Sequence, residues 1–167
     1  LNTLEHLVQS GAIDGDKAMA WKAKLEEERM VKELQAKADE GDADAMYKLG
    51  NLHHGGKYGF VKDERQARIW FERAAELGHA KGMACIGKCL LKGMGGPSSP
   101  AFGLVYTTRA AELGSDLAAY LLGKAFFKGI YGLPQNSAQA KRYLRKVVEG
   151  ECKVRHLVEK SHAEAIA

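Results

Sequence analysis

The chain has 167 residues, 46% hydrophobic and 28% charged, with a formal net charge of +4 and three cysteines, Cys85, Cys89 and Cys152. That length predicts one domain able to bury a core, and no apolar run nears the roughly eighteen residues of a membrane span, so no membrane role is expected. An odd cysteine count in a chain long enough to fold without disulfide staples favours a reducing, cytoplasmic setting, and no basic start with a short apolar run and a small-residue cleavage site speaks for secretion.

In chain order, Leu4, Leu7 and Val8 stand at helical spacing and Ser10-Gly11 ends the run, which predicts a short helix over 2–10. From Asp16 to about Glu40 neither Gly nor Pro intervenes, Asp14 or Asp16 can cap the start, and Glu28 with Lys32 and Glu33 with Lys37 form favourable pairs four apart. One long helix is expected. Its apolar residues, Ala18, Trp21, Leu25, Val31, Leu34 and Ala38, make an imperfect stripe broken by Glu26-Glu27-Glu28, which argues against a coiled-coil seam. Residues 1–40 are therefore expected to form an amino-terminal cap, with Trp21 packing as an aromatic of a repeat helix would.

Beyond residue 40 the chain repeats itself. Ala74-Ala75-Glu76-Leu77-Gly78 returns as Ala110-Ala111-Glu112-Leu113-Gly114, thirty-six residues later, and a fixed period is the mark of a repeat array. Gly41, Gly78 and Gly114 each stand nine residues before Gly50, Gly87 and Gly123, and six further on come Gly56, Gly93 and Gly129. A polar loop then leads to a second helical pattern carrying Trp70, Tyr106 and Tyr143. The boundaries expected are 41–77, 78–113 and 114–151, followed by a closing helix over 152–167 suggested by Val154, Leu157, Val158 and Ala165. The third copy is degenerate, with Val147-Val148 in place of the alanine pair.

Each unit reads as a helical hairpin. In the first, Ala45, Met46, Leu49, Gly50 and His53 recur at steps of three and four, Asp63 is placed to cap a second helix, and Ala67, Trp70, Phe71, Ala74 and Ala75 line that helix. Glycine inside a helix costs about 1 kcal/mol relative to alanine, so Gly50, Gly87 and Gly123 imply a compensating close approach of a neighbouring helix. Such hairpins cannot bury both faces alone. Stacked, they form an all-α, tetratricopeptide-like α/α superhelix with a continuous core and a groove along one side.

At these residues the chain resembles the Sel-one-like repeat (SLR) family, relatives of the tetratricopeptide repeats. The pattern is met at Ala45, Leu49-Gly50, Gly56, Asp63, Trp70 and Arg73-Ala74-Ala75, and the resemblance covers about residues 38–151. His53 and Leu90 depart from the usual tyrosine, and Ser99 or Pro100 stands near where a capping aspartate is usual. The resemblance implies a right-handed solenoid serving as an adaptor for protein partners. Some secreted, cysteine-rich members resemble penicillin-binding hydrolases in activity and pair cysteines between the two helices of a repeat; this chain has no cysteine in any second repeat helix.

Other chemistry has weaker support. Cys85, Cys89 and His79 fall within a few helical turns, but four convergent zinc ligands are not evident. His53-His54 reads as one packed and one solvated ring rather than a catalytic pair. Gly93-Met94-Gly95-Gly96 follows no strand, so it is an interhelix turn and not a phosphate loop. No cofactor and no metal are called for, and neither enzyme activity nor a small-molecule substrate is expected.

Charge is unevenly placed. Residues 1–40 hold 6 basic and 9 acidic side chains, whereas 41–150 hold 16 and 9, so the repeats would favour an acidic protein or peptide. With 45, 46, 49, 50 and 53 as core, the free face of each first helix would hold Tyr47, Lys48 and Asn51, then Ala84, Cys85 and Lys88, then Tyr120, Leu121 and Lys124, with Lys92 and Lys128 one turn beyond. Lys88, Lys92, Lys124 and Lys128 would form a ladder on the concave side, with Tyr47 and Tyr120 as apolar anchors. A nucleic-acid-binding array is the alternative that basic charge leaves open, although Asn51, Lys88 and Lys124 at matching sites spell no base-reading code; a hydrolase of the penicillin-binding type is the less favoured third reading. The bland reading is that the lysines only solvate a helix.

Overall fold

The glycine that opens each repeat sits where the chain must turn: Gly41, Gly78 and Gly114 have φ of 95°, 81° and 84°, values that L side chains avoid. One residue later a side chain caps the next helix. Asp42 accepts from the Asp44 and Ala45 backbone N–H groups, His79 from that of Gly82, and Ser115 from that of Ala118.

The computed structural model describes residues 2–149. Its elements are α1 (Asn2–Gln9), α2 (Gly15–Asp39), α3 (Ala43–Gly55), α4 (Glu64–Glu76), α5 (Ala80–Lys92), α6 (Pro100–Glu112), α7 (Asp116–Lys128) and α8 (Ser137–Glu149), with no strand among the described residues. The first helices α3, α5 and α7 end on left-handed Gly56, Gly93 and Gly129. Asp63, Ser99 and Asn136 stand immediately before the second helices. Asp63 and Asn136 accept backbone N–H bonds, while Ser99 makes no capping bond and Pro100 takes the first turn, where its missing N–H costs nothing.

Helices pair as α3/α4, α5/α6 and α7/α8, and each pair packs on the next through α4 with α5 and α6 with α7. First helices of neighbouring units also meet, α3 with α5 and α5 with α7, more extensively than the second helices do, so they lie on the inside of the curve. The result is an all-α solenoid. Its core alternates small and large residues: Ala45, Ala67, Ala74, Ala84, Ala110, Ala118 and Ala140 are buried alongside Leu49, Phe71, Ile86, Leu122, Leu144 and Val147. Gly50 faces the Phe71 ring, Gly87 faces Thr107, and Gly123 faces Leu144. Of the adjacent histidines, His53 packs edge-on to Phe60 with centroids 4.6 Å apart, and His54 pairs with Glu64 at 3.1 Å.

The long helix α2 corrects one expectation. Trp21 and Leu25 do not pack as repeat residues; they are 61% and 55% exposed. Only Val31, Leu34 and Ala38, near the end of α2, join the cluster around Ala45, Met46 and Leu49. The reason is length. A 25-residue helix runs about 38 Å and a 13-residue neighbour only about 20 Å, so α3 can cover just half of α2. The closing helix expected over 152–167 lies outside the described residues.

Candidate functional site

The lysine face is set by helix register. Lys88 and Lys92 stand one turn apart on α5, and Lys124 and Lys128 one turn apart on the adjacent α7, all away from the faces that carry Ile86, Leu90, Leu122 and Phe126. Lys88 and Lys124 are half-buried; Lys92 and Lys128 are exposed. Lys92 is held below the usual lysine value, first by loss of surrounding water and then by the charges of Lys88 and Lys124. Three ammonium groups therefore share one neighbourhood. None of the four lysines forms an ion pair with a described residue, so the cluster's field is not cancelled locally and would draw an anion.

The remaining residues of the expected face behave differently. Ala84 is fully buried and Leu121 is 8% exposed, so neither belongs to a free surface. Tyr47 is no free anchor either. Its ring lies 6.1 Å from Phe71 and 5.1 Å from His79, bridging the first two core clusters. Tyr120 packs beside the cluster of Ala119, Leu144 and Val147. These corrections share a cause: a first helix is enclosed by its own partner helix and by units before and after, so more of its surface is covered than an isolated hairpin would cover.

Lys48 is also engaged. Its ammonium meets Asp44 at 2.6 Å one turn back, a bond that raises the Lys48 pKa and lowers that of Asp44. Asn51 is half-buried and, with Lys48, borders a hollow of about 440 Å³ against Met30 and Leu34 of α2. The structure thus gathers Lys88, Lys92 and Lys124, adds Lys128 at the end of α7, and leaves Lys48, Asn51, Tyr47 and Tyr120 outside that group.

Sequence inspection weighed His79 only as a metal ligand and missed its capping role. Its Nδ1 accepts from the Gly82 N–H at 3.1 Å, and its Nε2 faces Asp44 at 3.6 Å, so it caps α5 while touching α3. The signal was present, because His79 occupies the same place as the capping Asp42 and Ser115. With Nδ1 committed to the cap it is no metal ligand in this arrangement, and among the described residues no three His, Cys, Asp or Glu side chains converge as a metal site would require. Cys85 and Cys89 are both free thiols on α5. Burial pushes Cys85 up to about 12 and raises Cys89 as well, which keeps both protonated and unreactive at neutral pH.

Stacked helical hairpins with a first-helix inner face define a repeat solenoid, the class of protein that holds partners along a groove. Within that class the particular family is clear, since the Sel1 repeat model matches residues 43–79, 80–115 and 116–148; the chain belongs to the Sel1 repeat family. Such proteins serve in general as protein-interaction scaffolds. The ERAD-associated E3 ubiquitin-protein ligase component HRD3A of Arabidopsis thaliana is 31% identical over 88 residues, 53% of this chain and 13% of that protein. Among solved structures, the protective antigen c5321 of uropathogenic Escherichia coli is 30% identical with a TM-score of 0.64, over 71% of this chain and 25% of that one. A Sel1 repeat protein of Oxalobacter formigenes is 21% identical with a TM-score of 0.67, over 75% and 50%. Cysteine-rich protein B of Helicobacter pylori, 20% identical with a TM-score of 0.55 over 72% and 95%, shares the fold. No described helix is long and apolar enough to cross a membrane.

Proposed function

We propose that the chain is a non-catalytic scaffold that receives an acidic segment of a protein partner on the inner face of α5 and α7. One observation carries this reading: Lys88, Lys92 and Lys124 converge from two neighbouring helices with no ion pair to a described residue. Packing like charges together is unfavourable in an isolated chain, and a carboxylate-rich partner would relieve it. Lys128 extends the same surface by one turn. Lys48, Asn51 and Tyr47 on α3 and Tyr120 on α7 then shape the array rather than grip the partner. The plant relative, named as a component of a ligase assembly, supports an adaptor role within a larger complex, and the free thiols of Cys85 and Cys89 fit a reducing, cytoplasmic setting.

A fluorescein-labelled oligoglutamate peptide is the probe, titrated at several salt concentrations and read by anisotropy. Binding is expected to weaken as salt rises, and Lys88→Glu with Lys124→Glu is expected to abolish it while leaving the melting midpoint unchanged. Undiminished binding by the double variant, with the same salt slope, would sink the proposal. Tighter binding of a random single-stranded oligonucleotide than of the peptide would favour a nucleic-acid partner instead.

A further inference from the structure

Consecutive hairpins are joined in two different ways. Between the first and second, Arg68 on α4 reaches the loop before α6 and donates to the Pro97 carbonyl at 3.0 Å. That loop lies so close that a Cβ on Gly96 would stand 2.8 Å from the Arg68 guanidinium. Between the second and third, the position matching Arg68 is Leu104, thirty-six residues on, and Pro134 stands two residues before the cap Asn136 as Pro97 stands before Ser99. Leucine can donate no such bond. In place of the latch there is a cavity of about 470 Å³ between α6, α7 and α8.

The cavity has a distinct chemistry. Leu104, Leu122, Phe126 and Tyr143 line it, and the last two rings stack with centroids 6.0 Å apart and planes 4° from parallel. Thr108 and Arg142 supply polar groups. Arg142 is exposed and makes no ion pair with a described residue. At the matching place the first two units carry Ile69 and Val105, which are exposed and apolar, so the cation arrives only where the cavity is. Leu122 and Phe126 each stand two residues from Lys124, about 200° round α7. The cavity therefore faces away from the lysine cluster and is a separate place.

We infer that this junction is a second partner-binding site, which takes an aromatic side chain of a peptide while a carboxylate beside that residue closes on Arg142. The volume falls within the roughly 300–1,000 Å³ of ligand pockets. A stacked ring pair offers a flat apolar wall to a third ring, and Arg142, with Lys141, Arg145 and Lys146 beside it on α8 and only Glu149 opposing, selects an acidic neighbour. The site stands independently of the oligoglutamate face.

Its test is an amide chemical-shift titration of the full chain with acetyl-Gly-Phe-Glu-Glu-Gly-amide, beside two controls that carry Ala for Phe or Lys for both Glu. Saturable shifts are expected at Thr108, Gln139 and Arg142, about tenfold weaker with either control. Leu104→Arg restores the latch of the preceding junction and is expected to abolish the shifts with the melting midpoint kept. Should Leu104→Arg not fold, the exposed Arg142→Glu decides in its place and is expected to weaken binding about tenfold or more. Lys88→Glu with Lys124→Glu is expected to leave this titration unchanged, which separates it from the inner-face proposal. Equal response to the Ala control, shifts confined to the Lys88 and Lys124 face, no binding up to millimolar peptide, or unaltered binding by a folded Leu104→Arg chain would each overturn it.

Discussion

The hairpins α5/α6 and α7/α8 carry the same glycine at the same place, yet they are not packed alike. A Cβ on Gly87 would collide with the Thr107 hydroxyl and also stand 3.1 Å from the Thr107 nitrogen and 3.2 Å from the Gly103 carbonyl oxygen. At Gly123 the nearest atoms belong to the Leu144 side chain, Cδ2 and Cγ at 2.7 Å, with backbone only at 3.4 Å. Gly103 deepens the contrast, because α6 has glycine where α4 and α8 have Ala67 and Ala140, and the buried Thr107 hydroxyl donates to the Gly103 carbonyl at 2.6 Å. In the second hairpin backbone meets backbone, whereas in the third a branched side chain is the cushion. A repeated glycine marks where two helices approach, but its neighbour decides how much the contact can yield.

The largest effect should come from Gly87→Leu, which forces a side chain against helix backbone that has nowhere to go. A loss of about 3 kcal/mol or more is expected in denaturant unfolding, and an unchanged midpoint would refute the packing role. Gly123→Ala should cost less, about 1 kcal/mol, because Leu144 can turn to another rotamer. The pair Gly87→Ala and Gly123→Ala sharpens the point: equal midpoints for these two would erase the distinction between the hairpins.

The smallest effect, absent at neutral pH, concerns a chemical difference along the same faces. Where α5 has Cys85 and Cys89, α7 has Leu121 and Ala125, so of these two helices only α5 holds thiols on that face. The folded-state pKa of Cys85 is raised, so its contribution to stability is complete below the ordinary thiol value of 9.0 and is lost as pH rises from there towards about 12. Stability should therefore fall more gently over that window in Cys85→Ala than in the parent, read as urea midpoints against pH. Parallel curves would show that the thiol does not titrate with folding.

Much of this architecture was legible in the sequence because the governing features are local. The nine-residue glycine spacing, the six-residue step to Gly56, Gly93 and Gly129, and the cap Asp63 each act within one helix or one turn. Contacts between units were less legible. The position of Tyr47 on its helix gives an angle, not the arrival of Phe71 and His79 from the next hairpin; Ala84 and Leu121 were read as free for the same reason. Trp21 failed differently, since its stripe is genuine but the helix it belongs to outlasts its neighbour. The lysine face is legible in the sequence because charge on a solvent-facing helix side needs no neighbour to be recognised. The open junction at Leu104 was missed because it becomes visible only when Arg68 is seen spanning the equivalent gap.

The cap at His79 has a consequence for how the array comes apart. Its ring holds the start of α5 and leans on Asp44 and Tyr47 of the hairpin before, whereas the Ser115 side chain, at the same place before α7, only caps its own helix at Ala118. One joint is a clasp and the other a plain hinge. Under tension applied at the two ends, the seam before α7 should therefore give way first and the first two hairpins should part together, as two unequal steps in a single-molecule pulling trace. A single step at one force would show that the clasp adds nothing to the seam it spans.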